Sequence, residues 1–414
     1  MAEISPKIAI IGAGLSGLVA AITLEKKGYR PTIYEASDSI GGRVKTDIVN
    51  GIPIDHGFQV LLTAYPAAQK YLDYEDLQLQ HFLPGSLLLD GQNRSKIGDP
   101  LRDIRFLVPT VFSKVGSLRD KWKIFKLSNS LKKMSIQEVF EGPDESTLSY
   151  LQGYGFSAKM IDTFFLPFFS GIFLEDALAT SAKMFRFVYK MFSEGSASVP
   201  KNGMQEIPAQ LRAQLKHTTI VFNSTVANVE GNTLEFSQGN KAEFDLLLIA
   251  TDPTSMLPQL VPTPVTWQST ETLYFKLAST AGFKAPIIGL VTDKDSLINN
   301  VHFVTDVLPG KRDRAVLSVT IVAKHSLSET EKIDKVKKEL AVHCGFNEIT
   351  LIKSYRIDQA LPILKTPTYD SRIGKYTDTI YLAGDYLANG SINAAMLSGE
   401  TAAKEMITAM ETVI

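Results

Sequence analysis

The sequence predicts an α/β fold organised around a Rossmann-like dinucleotide-binding domain, and three observations predict it. A glycine-rich turn, Gly12-Ala13-Gly14-Leu15-Ser16-Gly17, joins a short apolar run to a helix-like segment. A Gly-Asp turn, Gly384-Asp385, does the same near the other end of the chain. Between the two turns, segments of α/β character alternate with two long excursions of different composition. We therefore expect one discontinuous domain that carries inserted sequence.

The first turn has the residue types that a dinucleotide pyrophosphate requires. The apolar run Ile8 to Ile11 is short and β-branched, as expected for a buried parallel strand. Gly12 permits the tight turn, Gly14 lets the backbone approach the pyrophosphate, and Gly17 lets helix and strand pack closely. The free N–H groups and the positive dipole end of the helix-like segment Leu18 to Lys27 then face the negative charge.

An acidic residue completes this first motif. Glu35 lies 18 residues after Gly17, at the tip of the strand-like run Thr32-Ile33-Tyr34, and Ala36 follows it. A carboxylate at this place accepts hydrogen bonds from ribose hydroxyls and repels a 2′-phosphate. Glycine-rich turns also occur for purely structural reasons, but here strand, helix, second strand and acid are all in order. The motif predicts a dinucleotide without saying which one.

Composition excludes several classes of protein. The chain has 414 residues, enough for two or three domains, and its net charge of −1 favours no nucleic-acid surface. The single cysteine, Cys344, excludes an internal disulfide and is read as a buried thiol, and the six histidines lack metal-ligand spacing. Neither a signal peptide nor the roughly 18 uninterrupted apolar residues of a membrane span is recognisable. We therefore expect a cytoplasmic protein.

A second glycine motif follows the acid. Gly41 and Gly42 allow close approach of backbone to a ligand, and Arg43 adds a planar positive fork. A surface turn with a solvated arginine is the simpler alternative. The position directly after a ribose-binding acid favours the ligand. Asp55 to Gln59 could continue the cofactor's surroundings, and we give His56 no chemical role.

The first excursion, about residues 65–198, looks helical. The segments Leu118 to Met134 and Ala158 to Met191 have helical character, and Phe164 to Leu174 is the most aromatic stretch of the chain. Its simplest interpretation is the core of a helical domain. The wall of an apolar substrate pocket and a membrane-facing patch are the two alternatives. Pro167 and Gly171 interrupt the stretch and argue against a spanning helix.

Strand patterns then return. Val221 to Val226, Leu234 to Phe236 and Phe244 to Ala250 are strand-like, and a second excursion runs to about residue 366. Its charged helix starts at Ser328-Glu329-Thr330-Glu331, which has the spacing of a capping box. We expect residues 1–64, 199–253 and 367–414 to form the cofactor domain. Residues 65–198 are expected to supply the helical part, and 254–366 the sheet part, of an inserted α+β substrate domain.

The second turn decides between cofactors. Gly384 admits close backbone contact, and Asp385 can hold ribityl or ribose hydroxyls. The helix that follows begins near Ser391 and Ile392, and its N-terminus can stabilise negative charge on a ring beyond the phosphates. Two such motifs in one chain fit a large two-ended cofactor, so FAD fits better than NAD.

Together these motifs resemble the superfamily of FAD-dependent amine oxidases, phytoene desaturases and protoporphyrinogen oxidases. The matching features are GAGLSG with Glu35, the GGRxxT of residues 41–46, Asp55 with Gly57, the PxxGM of residues 200–204, and AGD at 383–385 followed by Ser398-Gly399. The resemblance implies a p-hydroxybenzoate-hydroxylase-like two-domain arrangement with a discontinuous FAD domain. It also implies a set of cofactor-binding residues: Gly12, Gly14, Leu15, Ser16, Gly17, Glu35, Ala36, Gly41, Gly42, Arg43, Val226 (through its backbone), Gly384, Asp385, Ser391, Ile392 and Ala395.

This sequence departs from the family pattern near the second turn. The helix begins Ser391-Ile392-Asn393-Ala394-Ala395, where many relatives have Ser-Ile-Glu-Gly-Ala. No cysteine lies nearby, so we expect non-covalent FAD and not the thioether flavin of some amine oxidases. The aromatic cage of amine oxidases usually has a Trp or Tyr shortly before the Gly-Asp turn. Trp122 and Trp267 are remote in sequence, which leaves Tyr369 and Tyr376 as candidates.

These features predict an FAD-dependent oxidoreductase that takes a hydride from a C–H bond of a largely apolar small molecule. Oxygen or a quinone would reoxidise the flavin, and no catalytic side chain is predicted. A flavin amine oxidase, a non-enzymatic lipid-binding escort-type protein and an NAD-dependent dehydrogenase are the alternatives. We expect no nucleic-acid partner and no metal. Peripheral membrane contact and the oligomeric state stay open.

Overall fold

The computed structural model describes most of the chain. The described residues are 6–91, 93–100, 102–113, 115–254, 256, 264–278, 282–308, 310, 315–322, 324–370 and 374–412. Within them, no helix combines the length and the apolar character that crossing a bilayer requires.

The described strands range from two to thirteen residues. In chain order they are β1 (Ile8–Ile11), β2 (Thr32–Tyr34), β3 (Thr46–Val49), β4 (Ile52–Asp55), β5 (Leu61–Leu62), β6 (Gln80–His81), β7 (Gly85–Asp90), β8 (Asn93–Gly98), β9 (Ala197–Val199), β10 (Thr219–Val221), β11 (Val226–Glu230), β12 (Thr233–Phe236), β13 (Lys241–Glu243), β14 (Leu246–Ile249), β15 (Trp267–Leu277), β16 (Ile288–Val291), β17 (Ile298–Phe303), β18 (Ala315–Ile321), β19 (Thr350–Pro362) and β20 (Ile380–Leu382).

The described helices lie mainly in the first excursion and at the two ends of the chain. They are α1 (Leu15–Glu25), α2 (Pro66–Tyr71), α3 (Leu107–Phe112), α4 (Leu118–Lys133), α5 (Ile136–Phe140), α6 (Thr147–Gly153), α7 (Ala158–Met160), α8 (Leu166–Phe173), α9 (Ala182–Glu194), α10 (Glu206–Ala213), α11 (Val304–Val307), α12 (Glu329–Cys344) and α13 (Ile392–Thr412). Short 3₁₀ turns lie at Ile104–Phe106 and Asp385–Leu387, and a π-helical turn at Ile161–Phe165 joins α7 to α8.

A five-stranded parallel sheet brings three distant parts of the chain together. Its order is β10-β2-β1-β14-β20, and every neighbouring pair is parallel. The central strands are apolar on both faces, with Ile10, Ile33 and Leu248 fully buried. This is the pattern that a parallel sheet covered on both sides requires. The predicted α/β class is thereby confirmed, and β1, β2 and β14 lie where the apolar runs predict strands.

Helices α1 and α13 cross at close range beside this sheet. A Cβ added at Gly399 of α13 would overlap the carbonyl oxygen of Ser16, and one added at Gly17 would overlap that of Gly12. Because neither glycine has a side chain, both helix N-termini can approach the same edge of the sheet. Gly399 therefore has a packing reason to be there. The Ser398 hydroxyl beside it accepts a hydrogen bond from the Gly384 N–H at 3.0 Å.

A second sheet of seven strands carries the remaining core. Its order is β19-β15-β18-β17-β16-β7-β8, and β7 pairs with β16 in parallel while the other pairs are antiparallel. Strands β7 and β8 come from the first excursion, so residues 65–198, expected to supply the helical part, also contribute two strands to this sheet. Leu87, Leu88 and Leu89 are all buried, which explains why this segment joins a sheet. The strand topology supports the proposed division into two discontinuous domains.

Two further local predictions need correction. The expected helix over Ala158 to Met191 is interrupted between α8 and α9, where Leu174 and Leu178 adopt positive φ angles of 55° and 52°. The expected strand Val221 to Val226 is instead the turn between two strands, because β10 ends at Val221, β11 begins at Val226, and Asn223 between them has a φ of 53°. Both breaks use left-handed conformations that β-branched residues avoid.

Other local predictions are confirmed. Helix α12 begins with the predicted capping box, since the Ser328 hydroxyl accepts from the Glu331 N–H while the Glu331 carboxylate accepts from the Ser328 N–H. Helix α4 covers nearly all of the predicted Leu118 to Met134. Cys344 is buried at the end of α12, and burial raises the pKa of its thiol to about 12, as expected for an inert buried thiol.

Candidate cofactor and active site

One cavity of about 850 Å³ is lined by both glycine turns and by the seven-stranded sheet. Thirteen of the sixteen predicted cofactor residues line it: Gly12, Gly14, Leu15, Ser16, Glu35, Gly41, Gly42, Arg43, Gly384, Asp385, Ser391, Ile392 and Ala395. The two turns are more than 360 residues apart in sequence and share one space in the fold. This shared space is what a two-ended cofactor needs.

Three predicted residues do not line the cavity. Gly17 lies behind the first turn, where its role is to let α1 approach the Gly12 carbonyl. Ala36 is exposed beside Glu35, and Val226 is 8 % exposed in a core cluster with Ile11 and Ile249. The structure therefore gives Gly17 and Val226 packing roles.

The first turn is held in a fixed shape by main-chain and carboxylate hydrogen bonds. Gly12 has a φ of 100° and donates its N–H to the Tyr34 carbonyl at 2.9 Å. The Ala13 N–H donates to Glu35 Oε2 at 2.8 Å, and Ser37 donates its N–H and hydroxyl to Glu35 Oε1 at 2.8 and 2.7 Å. Three hydrogen bonds leave an ionised carboxylate with free acceptor capacity. The Glu35 carboxylate is thus oriented for a hydroxyl donor.

Both long helices present their N-termini to the cavity. Leu15 and Ile392 are the first residues of α1 and α13, and both line it. A Cβ added at Gly14 would meet no heavy atom within 4 Å, so there is open space directly at the first helix end. The Ser391 hydroxyl accepts from the Ala394 N–H at 3.0 Å, which caps one of the free donors of α13. The remaining N–H groups and the two dipoles favour negative charge in the cavity.

Arg43 connects the Gly41-Gly42 motif to the Gly384-Asp385 turn and to the seven-stranded sheet. Its Nη2 donates to Asp385 Oδ1 at 2.5 Å, its Nη1 donates to the Ala360 carbonyl at 3.1 Å, and its guanidinium lies 5.0 Å from the centre of the Trp267 ring. The Asp385 side chain is 6 % exposed and that of Arg43 37 %. Arg43 is therefore fixed by a carboxylate, a carbonyl and an aromatic face, and these partners come from both sheets.

The lining residues fit a dinucleotide with a group bound at each end. Open backbone at a helix start suits a pyrophosphate, and an oriented acid one strand away suits a ribose. The arginine–aspartate pair and the second helix start suit the polar and electron-rich parts of a ring-bearing half. Among the described lining residues, free N–H donors at two helix starts lie near the acids Glu35 and Asp385. A dinucleotide accounts for this combination of donors and acids.

Part of the cavity wall is apolar. Its residues come from the first excursion, from β19 and from the segment after β4, and they are Phe58, Ile172, Phe173, Met184, Val188, Phe192, Ile357 and Leu361. The aromatic stretch of the first excursion thus serves two purposes. Phe165 and Phe169 are fully buried core residues, while Phe173 reaches the cavity.

The aromatic-cage candidates lie elsewhere. Tyr369 packs against Phe140 and Phe187, at ring-centre distances of 6.2 and 6.5 Å, and Tyr376 packs against the core cluster of the parallel sheet. Neither belongs to the described lining of the cavity. The expected position of a cage residue before the Gly-Asp turn is therefore not supported by the fold.

A small polar network lies beneath the Gly41-Gly42-Arg43 turn. Burial raises the pKa of the Asp55 carboxyl to about 6, although Thr46 donates its hydroxyl at 2.5 Å and Met204 donates its N–H at 2.9 Å. A hydrogen bond from the Tyr355 hydroxyl, helped by His56, lowers the pKa of Asp47. Asp55 thus joins the β3–β4 hairpin to the PxxGM turn. This contact gives a structural role to the Asp55 motif and to the PxxGM motif of residues 200–204.

Some cavity residues were missed by sequence reasoning. Trp267 and Ala360 approach Arg43 from the seven-stranded sheet, and nothing local in their sequence marks them. Asp252 had a signal, because it follows the buried strand β14 at its carboxyl end, where ligands of parallel sheets bind. Its Oδ2 accepts from the Trp267 indole N–H at 3.1 Å. Tyr386, directly after Asp385, also lines the cavity, and burial raises the pKa of its hydroxyl well above the ordinary value.

Fold and site together define a two-domain flavoenzyme: a parallel dinucleotide sheet, two helix starts facing one cavity, and a second sheet that closes its apolar side. The family model described as flavin containing amine oxidoreductase matches residues 15–407. The chain belongs to that family. Its cofactor is FAD and it is an FAD-dependent oxidoreductase. The NAD alternative is therefore wrong, and the non-enzymatic escort is not favoured.

Curated relatives include enzymes with different substrates. Hydroxysqualene dehydroxylase of Zymomonas mobilis is 24 % identical over 95 % of this chain and 97 % of its own length. Protoporphyrinogen oxidase 2 of Arabidopsis thaliana is 28 % identical over 43 % of this chain, and that match spans only 34 % of the relative. Among solved structures, cyclohexylamine oxidase from Brevibacterium oxydans has a TM-score of 0.68 at 13 % identity, covering 98 % of this chain and 100 % of that one. The last similarity shows the fold.

Proposed function

We propose that this oxidoreductase takes a hydride from a C–H bond of a largely apolar small molecule. The adjacent carbon or nitrogen loses a proton to solvent, and a C=C or C=N bond is left in the product. The observation that carries the proposal is the apolar part of the cavity wall, which includes Ile172, Phe173, Val188 and Phe192. Bound FAD supplies the two-electron acceptor. Oxygen or a quinone is the proposed final acceptor.

The protein's own residues would bind and orient. Glu35 would hold the adenosine ribose, and the N–H groups at the start of α1 would hold the pyrophosphate. Arg43 would face the pyrophosphate, and Asp385 the ribityl hydroxyls. The N-terminus of α13 would stabilise negative charge on the ring system. These assignments rest on the position of each group in the common cavity.

The substrate side would act by position and by exclusion of water. Apolar walls orient a C–H bond and keep water out of the site, which lowers the entropic part of the barrier. Removal of a hydride needs no protein nucleophile, so the reaction requires no nucleophilic side chain in the site. This role accounts for large apolar side chains at the positions that line the cavity.

A flavin amine oxidase is the second candidate, because one specific observation favours it. Asp144, Glu145 and Glu175 line the same cavity and could attract an amine cation. However, Lys183 already lies 3.2 Å from Asp144, and Glu175 accepts from the N–H groups of Ala177 and Thr180. Two of the three acids are therefore engaged, and the apolar substrate is the better proposal.

Anaerobic bleaching of the flavin distinguishes these candidates. The yellow protein would be mixed without oxygen with amines, porphyrinogens and polyenes, and absorbance near 450 nm followed (roughly where oxidised flavin absorbs). We expect bleaching by a porphyrinogen or polyene and none by amines. Bleaching by amines alone would establish the amine oxidase instead.

Two variants sharpen this experiment. Ile172→Asn makes the apolar wall polar, and we expect at least about a tenfold slower bleaching by an apolar substrate, because an unpaired amide is costly beside it. Glu175→Gln keeps an acceptor for the Ala177 N–H and removes the charge, so it should leave that rate unchanged. The reverse pattern would favour the amine oxidase.

A further inference from the structure

Exposed apolar side chains are concentrated in one short segment of the first excursion. Eleven large hydrophobic residues are exposed in the described part of the chain, and six of them lie between residues 104 and 125. They are Ile104 (70 % exposed), Leu107 (43 %), Val108 (63 %), Leu118 (69 %), Trp122 (61 %) and Phe125 (46 %). We call these six residues the apolar face.

In helix α4, the exposed apolar residues are separate from those that pack into the hydrophobic core. Leu118, Trp122 and Phe125 are spaced i, i+4 and i+7, so they form one stripe along the helix. Leu127 and Leu131 form a separate, fully buried contact with the domain. The helix therefore has an inward apolar side for the core and an outward one that faces solvent.

The same segment is strongly basic. Residues 102–133 contain nine Lys and Arg against two Asp, a net charge of +7, while the whole chain carries −1. Asp103 is paired with Arg105, and Asp120 is buried at the α4 N-terminus, where it accepts four hydrogen bonds from Ser117 and Ser157. Lys126 lies 5.6 Å from the centre of the Trp122 ring. Both acids are thus used internally, and the outward charge is positive.

A second cavity shares lining residues with the apolar face and with the cofactor cavity. It measures about 280 Å³, and Leu107, Leu118 and Phe125 of the apolar face line it. Phe168 and Phe192 line it as well, with ring centres 5.5 Å apart. Phe192 also lines the large cofactor cavity. One side chain therefore stands between the two spaces.

We propose that the apolar face docks on the surface of an anionic lipid bilayer, and that the second cavity receives the apolar tail of the substrate from it. The part concerning the tail rests on the proposed function. Bulky apolar side chains among lysines and arginines suit the boundary between headgroups and acyl chains, where basic residues meet anionic lipid. The basic excess selects a bilayer over an apolar protein partner.

Vesicle sedimentation tests the docking. The full FAD-loaded chain would be spun with phosphatidylcholine vesicles, with and without phosphatidylserine. We expect binding only to the anionic vesicles and at least about a tenfold loss for Trp122→Ser/Phe125→Ser, because interfacial binding scales with buried apolar area. Val342→Ser is the matched control, since Val342 is 57 % exposed on α12, and it should bind like the wild type.

Charge is tested separately. Arg119→Glu/Lys133→Glu should lower binding to anionic vesicles and flatten its dependence on salt, whereas Lys338→Glu on α12 should not. If the wild type does not bind anionic vesicles, or if both apolar and charge variants bind as it does, the docking proposal is wrong. The wild type could instead self-associate without binding vesicles, and Trp122→Ser/Phe125→Ser could abolish that self-association. This result would assign the apolar face to contact with a second copy of the chain and would also overturn the docking proposal.

The cavity is tested with a dansylated fatty acid as probe. We expect a saturable rise in its fluorescence and about tenfold weaker binding to Ile124→Trp, whose larger side chain fills the second cavity. No saturable rise, or equal binding by the variant, would contradict the tail site. Vesicle binding and probe binding do not depend on turnover. If the proposed function is wrong, the protein would still bind the anionic vesicles and the probe, but no apolar substrate would bleach its flavin.

Discussion

Three hydrogen bonds from Ala13 and Ser37 fix the Glu35 carboxylate at the tip of β2. Its orientation does not depend on a long flexible network, so replacing it should have a local effect. We expect Glu35→Ala to bind FAD about 10- to 100-fold more weakly, because the variant loses one or two hydrogen bonds from FAD to a charged acceptor. Flavin content after exhaustive dialysis measures this. Asp38→Ala, an exposed acid three residues on, is the control and should stay yellow.

Asp55 makes stability depend on pH. Its folded pKa is about 6, whereas an unfolded Asp titrates near 3.9, so the folded state holds the proton more tightly. The stability that this protonated carboxyl contributes is complete below about pH 4 and is lost as pH rises through 6. We expect Asp55→Asn to be more stable than the wild type at pH 7, by on the order of 2–3 kcal/mol, and equal to it at pH 4.

Denaturant unfolding at the two pH values checks this expectation. Asp358→Asn serves as the control, because the Asp358 side chain is 72 % exposed and should not change the pH dependence. An Asp55→Asn protein that loses stability between pH 4 and 7 as the wild type does would show that another group is responsible.

At the scale of elements, the crossing of α1 and α13 positions both helix starts. The Gly399 Cα lies so close to the Ser16 carbonyl that any side chain must push the helices apart. We expect Gly399→Ala to destabilise the protein by about 2–4 kcal/mol and to weaken FAD retention, since overpacking at a helix crossing has no local remedy.

Gly153→Ala is the matched control for this crossing. Gly153 ends helix α6, and a Cβ there meets no atom within 4 Å. The control should be neutral or slightly stabilising, because alanine restricts the unfolded chain and favours helix. Equal thermal midpoints for the two variants would mean that the helix crossing tolerates a wider spacing than the structure shows.

Elements with strong local signals were predictable, and those defined by distant contacts were not. The capping box of α12 and the apolar run of β14 are readable because neighbouring residues determine them. The break after α8 escaped prediction, since Leu174 ends the helix in a left-handed conformation that its residue type does not announce. The β7–β8 hairpin was missed because β7 finds its parallel partner, β16, about 200 residues further along the chain.

For the whole molecule, the sequence predicted the two turns and the common cofactor but only part of the site. Thirteen of sixteen predicted residues share one cavity because strand ends of a parallel sheet meet at one edge. Trp267 and Ala360, which hold Arg43 from the second sheet, depend on how two domains meet. The same is true of the second cavity, whose walls come from residues 82–197 and 288. No local pattern encodes such contacts.

If the protein binds FAD at both of its ends, FAD and ADP should stabilise the variants to different extents. FAD at about 100 times its dissociation constant should stabilise the folded wild type by about 2.7 kcal/mol. ADP, which can occupy only the adenosine end, should shift the melting temperature of Asp385→Ala as much as that of the wild type. FAD should shift Asp385→Ala less than it shifts the wild type. Glu35→Ala should reduce both shifts, and an Asp385→Ala protein with a full FAD shift would place Asp385 outside the cofactor site.

A crystal structure of the yellow, FAD-loaded protein would locate both ends of the cofactor. We expect one continuous cofactor, with its adenosine ribose at Glu35 and its ring system at the start of α13, inside the cavity that Arg43 and Asp385 share. A cofactor that reaches only the Gly12–Gly17 turn, with its ring outside this cavity, would contradict this expectation.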